Sequence, residues 1–395
     1  MRKQRNYGLL ILLFLVSSHI PIMASADIDP NSDLCSSTGK WIVLTDGAAD
    51  EISHRAVIDS TKNTKFVLLG EHHDQPQHHR WQTQMLSALL SEHNELAIGL
   101  EMLPRSRQPV LNSWVAREIS LDEFVEQSGW YEDWRFDIDL YLPILNFARD
   151  NGVSLHALNV PRVLISKVSQ EGWSKQRESE KHGIETPAPA KKRYEESLSH
   201  IYEQHERGDN KNFSRFIEAQ LVWDRAFAQG LVDAQKTSGK LVVGIIGSGH
   251  LNYGYGVKHQ LEDLGETKIL TWLPADSGED CLRAIALDPR DPPIADAIFL
   301  TNSDNPKIKK HKLGIYLIES ENGPVIADVM DNSIAIDAGL LANDTIVEAA
   351  GRKVSTSAEL VKIINRQAAG YLLPLKLLRN GDYLDIVAKI PIESN

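Results

Sequence analysis

The sequence predicts an α/β protein: a largely parallel sheet flanked by helices, followed by a small C-terminal β-rich domain. Three observations predict it. Apolar runs at 65–69, 96–100, 153–158 and 241–246 have buried-strand character, and helical repeats separate them, the βαβ pattern of a parallel sheet. Two of these runs end alike, in Gly70-Glu71-His72-His73 and in Gly247-Ser248-Gly249-His250. Beyond residue 311 the pattern changes to short apolar segments punctuated by turn residues.

In chain order, residues 1–26 read as a secretory signal. Arg2, Lys3 and Arg5 form a charged start, residues 9–16 an apolar run, and Ala24-Ser25-Ala26 a small-residue cleavage site. The apolar run is too short for a transmembrane helix, so an exported, periplasmic protein is expected. Residues 27–40 read as a loose arm, 41–44 as a short strand and 51–60 as a helix. Pro76 suits a first helical turn, and Trp81, Met85 and Leu89 at four-residue spacing place a helix over 78–92. The run 96–101 stops on a carboxylate, Glu101. Residues 106–128 carry an apolar stripe through Leu111, Trp114 and Val115. An aromatic segment, 130–136, precedes a helix holding Tyr141, Ile144, Leu145 and Ala148, which Asn151-Gly152 stops.

Residues 171–212, rich in Glu, Lys, Arg and Ser, read as a solvated surface insertion or as a mobile lid over a crevice. Phe213, Phe216, Trp223, Phe227 and Leu231 mark a long helix, with Gln220 and Asp224 beside its apolar stripe. Four prolines and the basic run Lys307-Ile308-Lys309-Lys310 suit an interdomain linker over 276–310, after a first domain at 41–275. In 311–393, strands are expected at 313–318, 324–329, 345–348, 372–378 and 383–390. A helix is expected at 357–365 and a hairpin turn at Asn380-Gly381 or Gly381-Asp382.

A net charge of −12 without a long basic patch argues against nucleic acid as a partner and against docking on anionic membranes. The two cysteines, Cys35 and Cys281, either pair, as export permits, or remain free thiols; sequence carries no distance to choose between them. Cys35 follows Ser32-Asp33-Leu34, without the small residue that a lipid-attachment site needs, so no lipid anchor is expected.

An open parallel sheet forms its binding crevice beyond the carboxyl ends of its strands. His73 and His250 are placed to meet there, with Glu71 or Glu101 as the acid. Two imidazoles and a carboxylate suit Mn, Fe, Co or Zn. His73, His250 and Glu101 would be the ligands, and Glu71 or Glu101 the general base of a metal-dependent hydrolase. The plainer alternative is that each histidine caps its strand through hydrogen bonds. His72, His78 and His79 enrich the first loop; the last two read as the exposed start of a helix. Phenolate is also a ligand for ferric haem. Tyr141, Tyr253 and Tyr255, with His72, are therefore haem candidates, and residues 130–136 could form an apolar wall; core packing is the alternative for these rings. Arg162 could pair with a propionate or another carboxylate, or form a surface salt bridge. There is no nucleophile elbow, phosphate-binding glycine loop or Cys-x-x-Cys pair.

Five segments together carry a resemblance. They are Gly70-Glu71-His72-His73, Leu100-Glu101-Met102, Asn159-x-Pro161-Arg162, Gln220-x-x-Trp223-Asp224 and Gly247-Ser248-Gly249-His250. Over residues 41–275 the chain resembles the ChaN-like haem-binding uptake family of the Tiki superfamily. The resemblance implies an α/β fold, an exported location and haem or iron as ligand, with Asn159, Arg162, Gln220 and Asp224 supporting the site. Metal-dependent proteases and esterase-like members of the wider superfamily keep a hydrolase open. Residues 311–393 resemble a bacterial PDZ domain: Leu313-Gly314-Ile315 matches the carboxylate-binding loop, and Ala338-Gly339-Leu340-x-x-Asn343-Asp344-x-Ile346 the characteristic turn and strand. This implies capture of an extended or C-terminal peptide as an added strand; internal packing or homodimer formation is the alternative use. Three readings stand: haem or iron-complex binding, metal-dependent hydrolysis, and a non-catalytic envelope scaffold.

Overall fold

Strands buried on both faces dictate the layers of the first unit. In β3 (Phe66–Glu71), Val67 and Leu69 point into one apolar cluster, Phe66 and Leu68 into the other, and all four are fully buried. Continuous apolar runs of this kind belong to sheets covered by helices on both sides. The computed structural model describes residues 33–45, 47–205, 212–286, 288, 290–302, 312–320, 322–365, 367 and 370–392. The signal-like segment 1–26 and the basic run at 307–310 lie outside the described residues. The chain divides into two compact units between residues 304 and 305.

The first unit contains β1 (Trp41–Thr45), β2 (Ala48–Ile52), β3, β4 (Leu96–Pro104), β5 (Ser154–Asn159), β6 (Leu241–Gly247), β7 (Ile269–Asp276) and β8 (Ala297–Thr301). They form one sheet in the order β2-β1-β8-β7-β3-β6-β4-β5. From β8 to β5 neighbouring strands run parallel, whereas β1 and β2 add an antiparallel edge. Strand β6 is inserted between β3 and β4, and its last residue, Gly247, pairs with Glu71. The two Gly-x-x-His turns therefore leave adjacent strands at the same end.

Helices α1 (Pro76–His93) and α2 (Ile138–Asn151) cover one face; α4 (Phe213–Ser238) and α5 (Val257–Asp263) cover the other, with α3 (Lys192–His205) between them in sequence. Gly152 stops α2 in the left-handed conformation, φ 64°.

Four expectations need correction. Residues 51–60 supply only the short helix His54–Asp59, because 48–52 pair with β1 as a hairpin strand. His78 and His79 are buried rather than an exposed helix start, since the first turn of α1 packs under the β3 turn. The segment 171–212 is not simply solvated: Trp173, Ile184, Tyr194 and Leu198 are buried against α4 and its surroundings. Within the expected linker, Glu279–Ile285 is a helix and β8 is a full sheet member between β7 and β1.

Cys35 and Cys281 are bonded to each other, both buried, tying the N-terminal arm to the helix after β7. In the second unit, β9 (Ile315–Ile318), β10 (Val325–Val329), β11 (Thr345–Ala349), β13 (Leu372–Arg379) and β14 (Asp382–Lys389) form an antiparallel sheet in the order β14-β13-β11-β10-β9, with β12 (Arg352–Lys353) paired to β11. The helix Ser357–Asn365 lies over its core of Leu313, Ile326, Ile346, Leu360 and Leu375. Asn380 and Gly381 both have positive φ, the hairpin turn expected from sequence.

The disulfide closes a loop of 246 residues. Replacing both cysteines by serine should lower unfolding free energy by about 2–4 kcal/mol, chiefly through the unfolded state, as read by urea denaturation. An unchanged midpoint would contradict this.

Candidate functional site

The site lies beyond the carboxyl ends of β3, β6 and β4. Glu101, near the end of β4, is its centre. Its Oε2 accepts the Gly247 backbone N–H at 2.6 Å, which aims the carboxylate across β6. Its Oε1 lies 4.0 Å from His73 Nε2 and 3.9 Å from His250 Nε2. Each imidazole turns its other nitrogen to a further carboxylate: His73 Nδ1 meets Glu71 Oε1 at 2.8 Å, and His250 Nδ1 meets Asp224 Oδ1 at 2.6 Å. Each outer carboxylate in turn accepts a buried phenol. Tyr141 donates to Glu71 at 2.7 Å, and Tyr194 donates to Asp224 at 2.8 Å. The arrangement is close to symmetric about Glu101.

Electrostatics follow from this alternation. Burial works against a charged His73, but the bond to Glu71 and the nearby Glu101 charge outweigh it and raise its pKa. Burial is likewise outweighed at His250 by Asp224 and Glu101. Burial would lift the Glu71 carboxyl, yet the charge of His79 and the bond from His73 hold it well below the usual range. Burial and the adjacent carboxylate push both phenols well above the ordinary tyrosine value, so they act as fixed donors. His78 is driven the other way, by burial and then by its histidine neighbours, and its Nδ1 accepts the His72 backbone N–H at 2.9 Å.

The first glycine of each motif has a direct steric reason. A Cβ at Gly247 would stand 2.7 Å from His73 Cε1, and one at Gly70 would stand 2.3 Å from Leu273. The rest of the shell is polar and specific. Asn159 donates to the Glu101 carbonyl at 2.8 Å and accepts from Trp223 at 2.9 Å. Gln220 lies 3.0 Å from His250 Nδ1. Arg162, exposed, donates through Nε to the Asp133 carbonyl at 2.7 Å rather than to a carboxylate. Trp134 and Phe136 pack against the His73 ring with centroids at 4.6 and 5.1 Å.

The structure thus brings Glu71, His73, Glu101, Asp224 and His250 together, with Asn159 and Gln220 in support. It does not bring the tyrosines together. Tyr141 is buried with its hydroxyl on Glu71, and Tyr255 donates to Asp291 at 2.5 Å. Tyr253 is half-buried and stacks on Tyr255, in a left-handed backbone conformation, φ 59°. His72 is half-buried beside His78. Sequence reading missed Tyr194, although Tyr194, Leu198 and Ile201 recur at helical spacing within a charge-rich stretch.

Among the described residues, no group of three or more His, Cys, Asp or Glu side chains is spaced to hold a metal ion. Donors about 2.1 Å from a tetrahedral ion stand roughly 3.4 Å apart, so the gaps of 4.0 and 3.9 Å from Glu101 to the two imidazoles are too wide, as placed, to hold a resident cation. Haem asks for an accessible donor and an apolar contact. His72 and Tyr253 qualify as donors, because no ring nitrogen of His72 and no hydroxyl bond of Tyr253 is engaged among the described residues; Tyr141 and Tyr255 have committed hydroxyls.

Fold and site together define an α/β domain with a buried histidine–carboxylate centre at its sheet edge, followed by a peptide-module fold. The chain belongs to the family described as haem-binding uptake, Tiki superfamily, ChaN, whose model matches residues 57–261. A PDZ domain matches residues 312–390. Among solved structures, one titled cofacial heme binding to ChaN of Campylobacter jejuni has a TM-score of 0.51 at 21% identity, covering 66% of this chain and 96% of that one. In the PDZ region, a probable periplasmic serine endoprotease, DegP-like, of Hahella chejuensis is 31% identical over 120 residues, 26% of this chain and 26% of that protein. A protein of the same description from Halomonas elongata is 32% identical over 73 residues, 18% of this chain and 15% of its own length. The chain thus spans about a quarter or less of the curated relatives it matches.

Two outcomes are expected. Gly247→Ala should displace His73 and cost about 1–3 kcal/mol in urea denaturation, whereas Gly249→Ala, whose Cβ meets nothing within 4 Å, should be neutral. Equal effects would contradict the packing. His250 has a raised pKa, so its ion pair stabilises fully below about 6.5 and fades as pH rises through the folded value. The stability difference between wild type and Asp224→Asn should therefore be largest at pH 6 and shrink towards pH 9; a pH-independent difference would contradict it.

Proposed function

We propose that this chain is an exported protein that binds haem or an iron complex through its first unit and captures peptide ends through its PDZ domain. One observation carries the ligand reading: at the sheet edge, the accessible donor His72 immediately precedes His73, around which Trp134 and Phe136 form an apolar wall. Bound haem would supply a ferric centre that accepts imidazole, with His72 as the residue at this wall to hold it. Arg162 donates to the Asp133 carbonyl through Nε, which leaves its terminal nitrogens to face a carboxylate.

Export is supported by the signal-like start and by the buried Cys35–Cys281 bond, which suits an oxidising compartment. Among the described residues, no helix is long and apolar enough to cross a membrane. We infer that the first domain runs to residue 304, because β8 completes its sheet. The peptide reading rests on Gly314, whose φ of +80° shapes the Leu313-Gly314-Ile315 loop ahead of the open edge of β9.

A second reading, hydrolysis with Glu101 as base, draws on its placement within 4.0 Å of two imidazoles. In a metal-dependent form it requires His73 and His250 to close on Glu101. Ring signals of both histidines that stay unmoved on addition of Mn, Co or Zn would remove that form.

Hemin titration tests the first reading. The wild-type chain should give a Soret shift, and His72→Ala should weaken binding about tenfold, ~1.4 kcal/mol. Absence of any Soret change, or full binding in the His72→Ala variant, would overturn it.

A further inference from the structure

The sheet of the second unit is open at both ends, and its two open edges differ. On the side opposite β9 it ends in β14, whose neighbour in the sheet is β13. Pairing with β13 runs the whole length of β14, from Leu372↔Lys389 to Arg379↔Asp382, without a register shift. The face that β14 turns outward is solvent-exposed, with Tyr383 69% and Val387 51% exposed, and among the described residues the strand pairs with β13 alone, with the short helix Ile334–Asp337 nearby.

The backbone polarity of this edge can be derived. The Ile390 N–H donates to the Tyr371 carbonyl, towards β13. The Ala350 N–H donates to the Pro374 carbonyl, so Pro374, which stands opposite Val387, turns that carbonyl towards β11. Antiparallel alternation then directs the N–H and C=O groups of Tyr383, Asp385, Val387 and Lys389 to the open edge. An edge strand of eight residues, unbroken by proline or bulge, is a template for a further strand.

We propose that β14 pairs antiparallel with β14 of a second copy of this chain, about a two-fold axis through Val387. The occupant follows from self-complementarity. With Val387 opposite the partner's Val387, Asp385 stands opposite the partner's Lys389, and Lys389 opposite the partner's Asp385. These pairs share one face of the sheet, and symmetry supplies both. Alternative arrangements are worse. Centring the axis on Asp385 or on Lys389 sets like charges opposite each other, and a parallel pair would align every charge with its own kind. The dimer would join the two sheets into one and leave a β9 edge free at each far end. It stands independently of the haem reading.

Sedimentation equilibrium on the purified full chain tests this. The expected result is a monomer–dimer equilibrium in which Asp385→Lys and Lys389→Asp each weaken association about tenfold or more, because each converts two opposite-charge pairs into two like-charge pairs. Mixing the two single variants should restore a mixed dimer, and the doubly swapped chain should dimerise with itself as the wild type does. A wild-type chain that stays monomeric at about 100 μM, a dimer indifferent to single reversals, or single variants that do not complement each other would each overturn the proposal.

Discussion

The first unit depends on one buried carboxylate. Glu101 has water largely excluded from it, and a carboxylate in that position is costly unless it is bonded and faced by opposite charge. Gly247 supplies the bond through its backbone N–H, and His73 and His250 supply the opposing imidazoles. Each imidazole then needs its own acceptor, met by Glu71 and Asp224, and these are closed by Tyr141 and Tyr194. Much of the architecture answers this sequence of needs. Insertion of β6 between β3 and β4 places Gly247 where it can reach Glu101 and sets both histidine turns side by side. Helix α4 brings Asp224 and Gln220, and α3 brings Tyr194 from a stretch that otherwise reads as surface.

A chain of alternating charge is rigid and polarised, and such buried networks tolerate few partial satisfactions. It also fixes both imidazoles with Nε2 turned towards Glu101. Glu71 and Asp224 hold the Nδ1 atoms, and a carboxylate there is what fixes the direction of an imidazole's Nε2. The accessible groups at this edge are the neighbours of the chain, His72 and Arg162, rather than its members. A ligand would be received at the rim while the buried network holds the rim in place.

Much of this was legible in the sequence where periodicity or motif spacing carried it. Four apolar runs gave four of the six parallel strands, without β7 and β8, and the repeated Gly-x-x-His pointed to one end of adjacent strands, where His73 and His250 lie with Glu71 and Glu101 as buried neighbours. In the second unit the glycine turn and the Asn380-Gly381 hairpin were readable because positive φ demands particular residues. What escaped has physical causes. Strand β8 was hidden by prolines around a run of only five residues. Tyr194 was passed over because the charge of its stretch suggests solvent, although Tyr194, Leu198 and Ile201 recur at helical spacing and pack inward. His78 and His79 were misread because polar residues at a helix start suggest solvent, whereas here they fill the underside of the first motif turn. The pairing of Cys35 with Cys281 needed a distance across 246 residues that sequence does not contain.

Residue-specific titration of the histidine rings by NMR in wild type and Glu101→Gln puts the account to its most direct test. Both His73 and His250 are raised in part by the Glu101 charge, so its removal should lower both pKa values together and leave His78 where it is. Two imidazoles that titrate unchanged after loss of that carboxylate, or only one that responds, would contradict a centre organised around Glu101.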